Sequence, residues 1–275
     1  MSSKELDEFS DALTYHSVLL VSLVILLSIY KTTVIGKSPY VFLFFFLLVN
    51  YCFIKYFIRC RQRFVFLIKR KYPLSVTVLV GSLISTALWL AVDRLMLIFN
   101  GRAVILNQLL LDKQITSHPK MLVPQAFDVT FTSPVIEEIM YRGLLLNAIL
   151  YIGLKLGLSK KLLFVIFLFL TTVLFGISHA SNNFLTFVGF GLMGLTFGAL
   201  YLVSGNLIVP ILVHFINNLS VQVNARDTLK IISIVVALLL IIGSLEYFSK
   251  DDRNFVKKFL CGSTRKQFTD KSKNE

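Results

Sequence analysis

The chain has 275 residues, of which 56% are hydrophobic and 25 are Phe, and its mean hydropathy is +0.76. A soluble globular domain is about 45–50% apolar, so this composition excludes that class and indicates a protein that crosses a membrane several times. The net charge of +13 lies mainly outside the apolar runs, which favours anionic lipid headgroups as partners, and the sequence contains no nucleic-acid-binding module.

Eight apolar runs are long enough to be membrane helices, since a spanning helix needs about 20 mostly apolar residues. The predicted fold is therefore an all-α, polytopic transmembrane helix bundle of about eight spans with a buried polar site. Residues 1–275 are expected to form a single membrane-embedded domain, in which 101–125 is an interfacial segment or loop. The predicted spans are residues 14–35, 39–58, 73–99, 127–152, 162–180, 184–203, 207–224 and 229–248.

The distribution of Lys and Arg predicts how the bundle is oriented. If both termini are cytoplasmic, most of these residues lie in inside loops and in the basic, polar tail 250–275, as the positive-inside rule requires. We expect this tail to be solvated or to touch lipid headgroups. The polar N-terminus has no signal-peptide pattern, the loops are short, and these features together favour a bacterial cell membrane.

The fourth predicted span, SPVIEEIMYRGLL, carries Glu137, Glu138 and Arg142 at bilayer depth. Such groups cost about 2.5–3.5 kcal/mol each on insertion scales and by default mark function. Glu138 and Arg142 are four residues apart and can form an ion pair, while Glu137 points about 100° away. Because a carboxylate shielded from water is a stronger base, Glu137 is a candidate general base. The alternative is a charge cluster that only holds helices together.

Two further spans contribute polar residues at helical spacing. The fifth ends in TTVLFGISHA and places Phe175 and His179 on one face. A neutral imidazole beside a carboxylate can share the activation of a water, although a lone histidine near a helix end more often packs or lies at an interface. In the seventh span, His214 and Asn218 are one turn apart, which suits either an oxyanion site or interhelical hydrogen bonds.

The same residues leave the question of a metal open. Glu137, His179 and His214 would supply the three protein ligands of a catalytic zinc site. Activation of water by Glu and His without a metal fits the sequence equally well, and the spacing favours neither.

A group of glycines in the sixth span resembles a nucleotide-binding loop only superficially. Gly189, Gly191 and Gly194 spell GxGxxG, but no strand precedes them. Together with Gly198 they predict close packing of helices through small residues.

The motifs EExxxR, FxxxH and HxxxN occur in this order, each in a predicted membrane helix. In this order and spacing, residues 125–222 resemble the catalytic core of the CPBP family of intramembrane proteases, which includes the type II CAAX prenyl endopeptidases and bacteriocin self-immunity proteins. The resemblance implies hydrolysis of a peptide bond near the membrane. It also implies a water activated by Glu137 with His179, an oxyanion held by His214 and Asn218, and a site organised by Glu138 and Arg142.

The expected function is that of an intramembrane endopeptidase acting on a membrane-associated or lipid-modified peptide or a membrane protein. The alternative is a non-hydrolytic immunity or regulatory protein that binds a peptide or a sensor kinase. A transporter with Glu137 as a proton-coupled site is a third reading, although the chain shows no clear two-half repeat. The predicted orientation places the site towards the outer leaflet, whereas CAAX processing is a cytosolic-side reaction.

Overall fold

In a computed structural model of the chain, the described residues contain helices and no strand, which confirms the all-α fold. Predicted spans 14–35 and 39–58 and the segment 101–125 are described only at isolated positions. Predicted span 229–248 and the tail 250–275 lie outside the described residues. The continuous described parts are residues 72–100, 127–179 and 183–222, with Ser181 and isolated positions between 22 and 51 and between 105 and 117.

The helices follow the apolar runs of the sequence closely, and each begins or ends within a few residues of its predicted span. The fourth predicted span is one helical segment, 128–155, in which α-helical and π-helical stretches alternate. The elements are α1 (Leu74–Asn100), π1 (Asp128–Thr132), α2 (Ser133–Glu138), π2 (Ile139–Leu145), α3 (Leu146–Lys155), α4 (Lys160–Ser178), α5 (Phe184–Ser204) and α6 (Ile208–Gln222).

Three of the described helices, α1, α4 and α5, are long and apolar enough to cross a membrane, judged by length and composition. The helix α6 is apolar but shorter. The count of eight spans therefore stays a prediction.

A short turn joins α3 to α4. Gly157 adopts a left-handed conformation with φ +73°, which glycine tolerates without steric cost. The Leu158 N–H donates to the Gly153 carbonyl at 2.9 Å, and the Ser159 hydroxyl accepts from the Leu162 N–H at 3.3 Å. These bonds satisfy the end of α3 and the start of α4, so α4 packs back against the segment 128–155.

The glycines of α5 lie in helix contacts. A Cβ at Gly189 would meet Trp89 and Val92 of α1, and one at Gly194 would meet α4. The prediction of close packing through small residues is therefore confirmed.

Two apolar clusters surround the polar site. The first joins the segment 128–155 to α4 and includes Ile139 and Phe167. The second lies where α1, α4, α5 and α6 meet and includes Phe175 and Phe197. Large apolar side chains also remain exposed on the outer face of α4, Phe169 among them. A helix surrounded by lipid is expected to expose such side chains.

Candidate functional site

Glu138 is the centre of a buried polar cluster that joins two of the three motifs. Its Oε1 accepts a hydrogen bond from Arg142 Nη1 at 3.0 Å and lies 2.9 Å from His214 Nδ1. Glu138 and Arg142 are fully buried, and His214 is 2% exposed. The ion pair predicted from the four-residue spacing is present, and it has a histidine of α6 as a third member.

The directions of the hydrogen bonds in this cluster follow from the chemistry of its groups. A guanidinium can only donate, so Glu138 Oε1 accepts from Arg142. We assign the second bond at this oxygen to the Nδ1–H of His214 as donor. The Nε2 of His214 is left as an acceptor in the neutral ring and as a donor in the imidazolium.

Aromatic rings and a backbone carbonyl fix the guanidinium of Arg142. Its Cζ lies 5.1 Å from the centroid of Phe175 and 5.5 Å from those of Tyr141 and Phe197. These distances suit cation–π contacts, which are strongest where water is excluded. In addition, Arg142 Nη2 donates to the carbonyl of Gly194 at 2.8 Å.

The π-helical stretches lie where the site is built. Glu138 ends α2, and Arg142 lies within π2. The third motif reaches π1, because Asn218 Nδ2 donates to the Val129 carbonyl at 2.8 Å. Helix α6 is therefore bonded to the segment 128–155 at two positions one turn apart. Short π-helical insertions are frequent at functional sites.

His179 follows the last residue of α4 and has an extended backbone, with φ −102° and ψ 135°. Its Nδ1 lies 2.8 Å from the carbonyl of Phe175. A carbonyl can only accept, so Nδ1 donates and Nε2 of the neutral ring is an acceptor. The imidazole also stacks on Phe190, with 4.3 Å between centroids and 18° between planes.

Glu137 differs from its neighbour in its surroundings. Its side chain is half-buried, whereas that of Glu138 is fully buried. Glu137 Oε2 is shielded from solvent and has no hydrogen-bond partner among the described residues. Among the described residues, no hydrogen bond joins Glu137 to His179 or to His214. The two carboxylates thus occupy different environments, in line with their separation on the helix.

The three residues suggested as zinc ligands are not gathered into a metal-binding group. Across the described ranges, no three His, Cys, Asp or Glu residues are placed to hold a metal ion. His179 and His214 are linked instead through Phe175, whose ring centroid is 4.5 Å from the first imidazole and 5.6 Å from the second.

A comparison with family models locates this site within a known type of domain. Residues 119–220 match the family model described as type II CAAX prenyl endopeptidase Rce1-like. The match confirms the resemblance to CAAX-type intramembrane proteases, and the Rce1-like segment contains all three motifs. Searches of curated proteins and of solved structures found no match to this chain.

Several contacts of the site had no signal in the sequence. The carbonyls of Val129 and Gly194 are backbone groups, and Phe197 and Phe190 are apolar residues in apolar helices. Ser85 of α1, outside the Rce1-like segment, lies 3.3 Å from Asn217 Oδ1.

Proposed function

We propose that this chain is an intramembrane endopeptidase of the CAAX-protease type, which hydrolyses a peptide bond in a membrane-associated or lipid-modified peptide. The observation that carries the proposal is the buried Glu138, bonded to both Arg142 and His214 within the Rce1-like segment. Glu138 and Arg142 lie in one helical segment, and His214 of α6 is a third partner that their ion pair does not require. The third partner is an imidazole whose Nε2 stays available for chemistry.

Glu137 is the proposed general base. Its buried Oε2 lacks a hydrogen-bond partner among the described residues, so it can accept a proton from a water molecule. His179, which donates Nδ1–H to Phe175, presents Nε2 as a second acceptor for the same water. The water oxygen attacks the carbonyl carbon of the scissile bond and gives a proton to Glu137. The C–N bond of the tetrahedral intermediate then breaks, and Glu137 passes this proton to the leaving amine.

His214 and Asn218 are the proposed donors to the oxyanion. His214 can donate Nε2–H to the oxyanion when both ring nitrogens carry a proton, and Glu138 then accepts the Nδ1–H. Asn218 uses one N–H on the Val129 carbonyl and keeps the second for substrate. A single oxyanion donor is worth about 2.7–4 kcal/mol of transition-state stabilisation.

The partners of the two histidines support this division of roles. Each ring is fixed at Nδ1, but His179 faces a neutral carbonyl and His214 a charged carboxylate. In the proposed mechanism the first ring accepts a hydrogen bond from the attacking water, and the second donates to the oxyanion. The proposed mechanism uses no metal, since the residues that sequence analysis named as zinc ligands are not grouped.

The bilayer is the proposed setting of the reaction. Lys155, Lys160 and Lys161 are exposed around the turn between α3 and α4. We propose that this turn faces the cytoplasm of a bacterial cell and contacts anionic headgroups, with both termini on the same side.

The test is cleavage of a library of membrane-anchored peptides, with and without prenyl groups, by the purified protein in liposomes. Glu137→Gln and His214→Gln are expected to abolish cleavage. Asp93→Asn is the matched control, because it removes a half-buried carboxylate from α1 outside the motifs. Cleavage should continue in the presence of a chelator. If the chelator stops cleavage and added zinc restores it, the result would favour the metal alternative. A wild-type protein that binds library peptides without cutting any would favour an immunity or regulatory role.

A further inference from the structure

Helix α5 carries none of the motif residues, yet it touches the buried cluster at two points. The carbonyl of Gly194 accepts from Arg142 Nη2 at 2.8 Å. The ring of Phe197 stacks on the imidazole of His214, with 4.7 Å between centroids and 22° between planes. Residues three apart on a helix lie on the same face, so one face of α5 contacts both partners of Glu138.

Glycine is required at 194 for steric reasons. A Cβ at this position would lie 2.7 Å from the backbone carbonyl of Thr171 and 2.7 Å from Phe175 Cβ, both on α4. Neither atom is the end of a flexible side chain. Alanine would therefore push α5 away from α4 and withdraw the carbonyl that holds Arg142.

Gly191 offers a milder comparison on the same helix. A Cβ there would lie 3.3 Å from the Thr172 carbonyl and 3.4 Å from its Cγ2. A shift of a few tenths of an ångström removes this conflict. Alanine at 191 therefore disturbs the same helix contact far less than alanine at 194 does.

Phe197 restricts a tilt of the His214 ring that its hydrogen bond to Glu138 leaves free. That bond fixes the direction of Nδ1, but the imidazole can still tilt about the line that joins it to Oε1. Phe197 is fully buried, lies nearly parallel to the imidazole and is braced edge-on by Phe175 at 5.9 Å. The stacked ring therefore fixes the plane of His214 and the direction of its Nε2.

We propose that Gly194 and Phe197 are positioning residues of this site: Gly194 holds Arg142 through its carbonyl, and Phe197 sets the plane of His214. Neither is assigned a contact with substrate. Their effect on cleavage rests on the proposed function, but their effect on His214 does not.

The test measures the His214 ring protons by NMR in the full-length protein labelled at its four histidines, with His214→Gln to assign the signal. A ring stacked on the imidazole shifts its protons upfield. Phe197→Leu is expected to move these signals downfield, and Phe197→Tyr should keep them upfield. Phe167→Leu, which changes an equally buried ring in the other apolar cluster, should leave them in place.

In the cleavage assay, Phe197→Leu should lower kcat about tenfold with little change in KM, because the donor is misaimed while the substrate still binds. Gly194→Ala should lower kcat in the same way, and Gly191→Ala should do so far less. Phe197→Tyr should recover most of the wild-type kcat.

His214 signals that stay in place in Phe197→Leu overturn the positioning role of Phe197, and an unchanged kcat in folded Gly194→Ala overturns that of Gly194. If Gly194→Ala does not fold, the Phe197 variants still decide the outcome. A wild type that cleaves nothing would count against the proposed function alone, because the NMR result is read without substrate. Cleavage by wild type with unmoved His214 signals would count against the positioning role alone.

Discussion

Replacing Glu138 and Arg142 singly and together separates the structural role of the buried ion pair from its chemical role. Both side chains are fully buried and joined at 3.0 Å. Glu138→Leu leaves the guanidinium buried without its partner, and Arg142→Met does the same to the carboxylate. Breaking a buried pair in this way costs about 3–5 kcal/mol.

Each single variant also loses one further hydrogen bond. Glu138→Leu removes the acceptor of His214 Nδ1, and Arg142→Met removes the donor to the Gly194 carbonyl. Hydrogen bonds to charged groups contribute about 1.5–3 kcal/mol each, so the two single variants should lose similar amounts of stability.

The double variant Glu138→Leu with Arg142→Met contains no stranded charge. Its remaining defects are the lost hydrogen bond to the Gly194 carbonyl and the unsatisfied Nδ1–H of His214, the second of which costs about 1–3 kcal/mol. It should therefore be more stable than Glu138→Leu and far more stable than the sum of the two single losses predicts. It should nevertheless cleave no peptide, since His214 has lost the carboxylate that holds its Nδ1–H.

Reversible unfolding in mixed micelles, titrated with a denaturing detergent, measures the free energy of unfolding of all four proteins. Strictly additive losses would refute the reasoning, as they would mean that neither charge depends on the other. A double variant that cleaves at the wild-type rate would refute the chemical role given to Glu138.

Three further outcomes are expected. Asn218→Ala should lower kcat about 10²–10³-fold as an oxyanion donor is lost, whereas Asn217→Ala should have a small effect; equal losses would contradict the assignment. In ¹⁵N NMR, the neutral ring of His179 should show a proton on Nδ1 and none on Nε2, because Nδ1 donates to the Phe175 carbonyl. The reverse tautomer would contradict the role of His179 as an acceptor for the attacking water. Gly157→Ala, at φ +73°, should cost about 1–2 kcal/mol of stability with cleavage unchanged, and an unaltered free energy of unfolding would contradict the strained turn.

The helices and the ion pair were predictable because both depend on order along one helix. The length of an apolar run gives a span, and four-residue spacing brings Arg142 to Glu138. The rotation of about 100° between successive helical residues also separates Glu137 from Glu138, which matches their different burial. The alternation of α and π geometry within 128–155 had no sequence signal.

The spacing of motif residues along one helix does not predict the distances between different helices. The motif HxxxN placed His214 and Asn218 on one face of α6, but it did not reveal that Glu138 is the partner of one and the Val129 carbonyl that of the other. These partners depend on how closely α6 approaches the segment 128–155. The spacing of residues along a single helix carries no information on that approach.

The central claim is that this buried site hydrolyses peptides with Glu137 as the base. The most direct measurement is single-turnover cleavage of one library peptide by equal amounts of folded wild type and Glu137→Gln in liposomes. The account predicts that the wild type cuts the peptide, incorporating an oxygen atom from water at the new carboxyl end, and that Glu137→Gln still binds it without measurable cleavage. Equal cleavage rates for the two proteins would contradict the claim and leave the polar cluster as a binding or structural site.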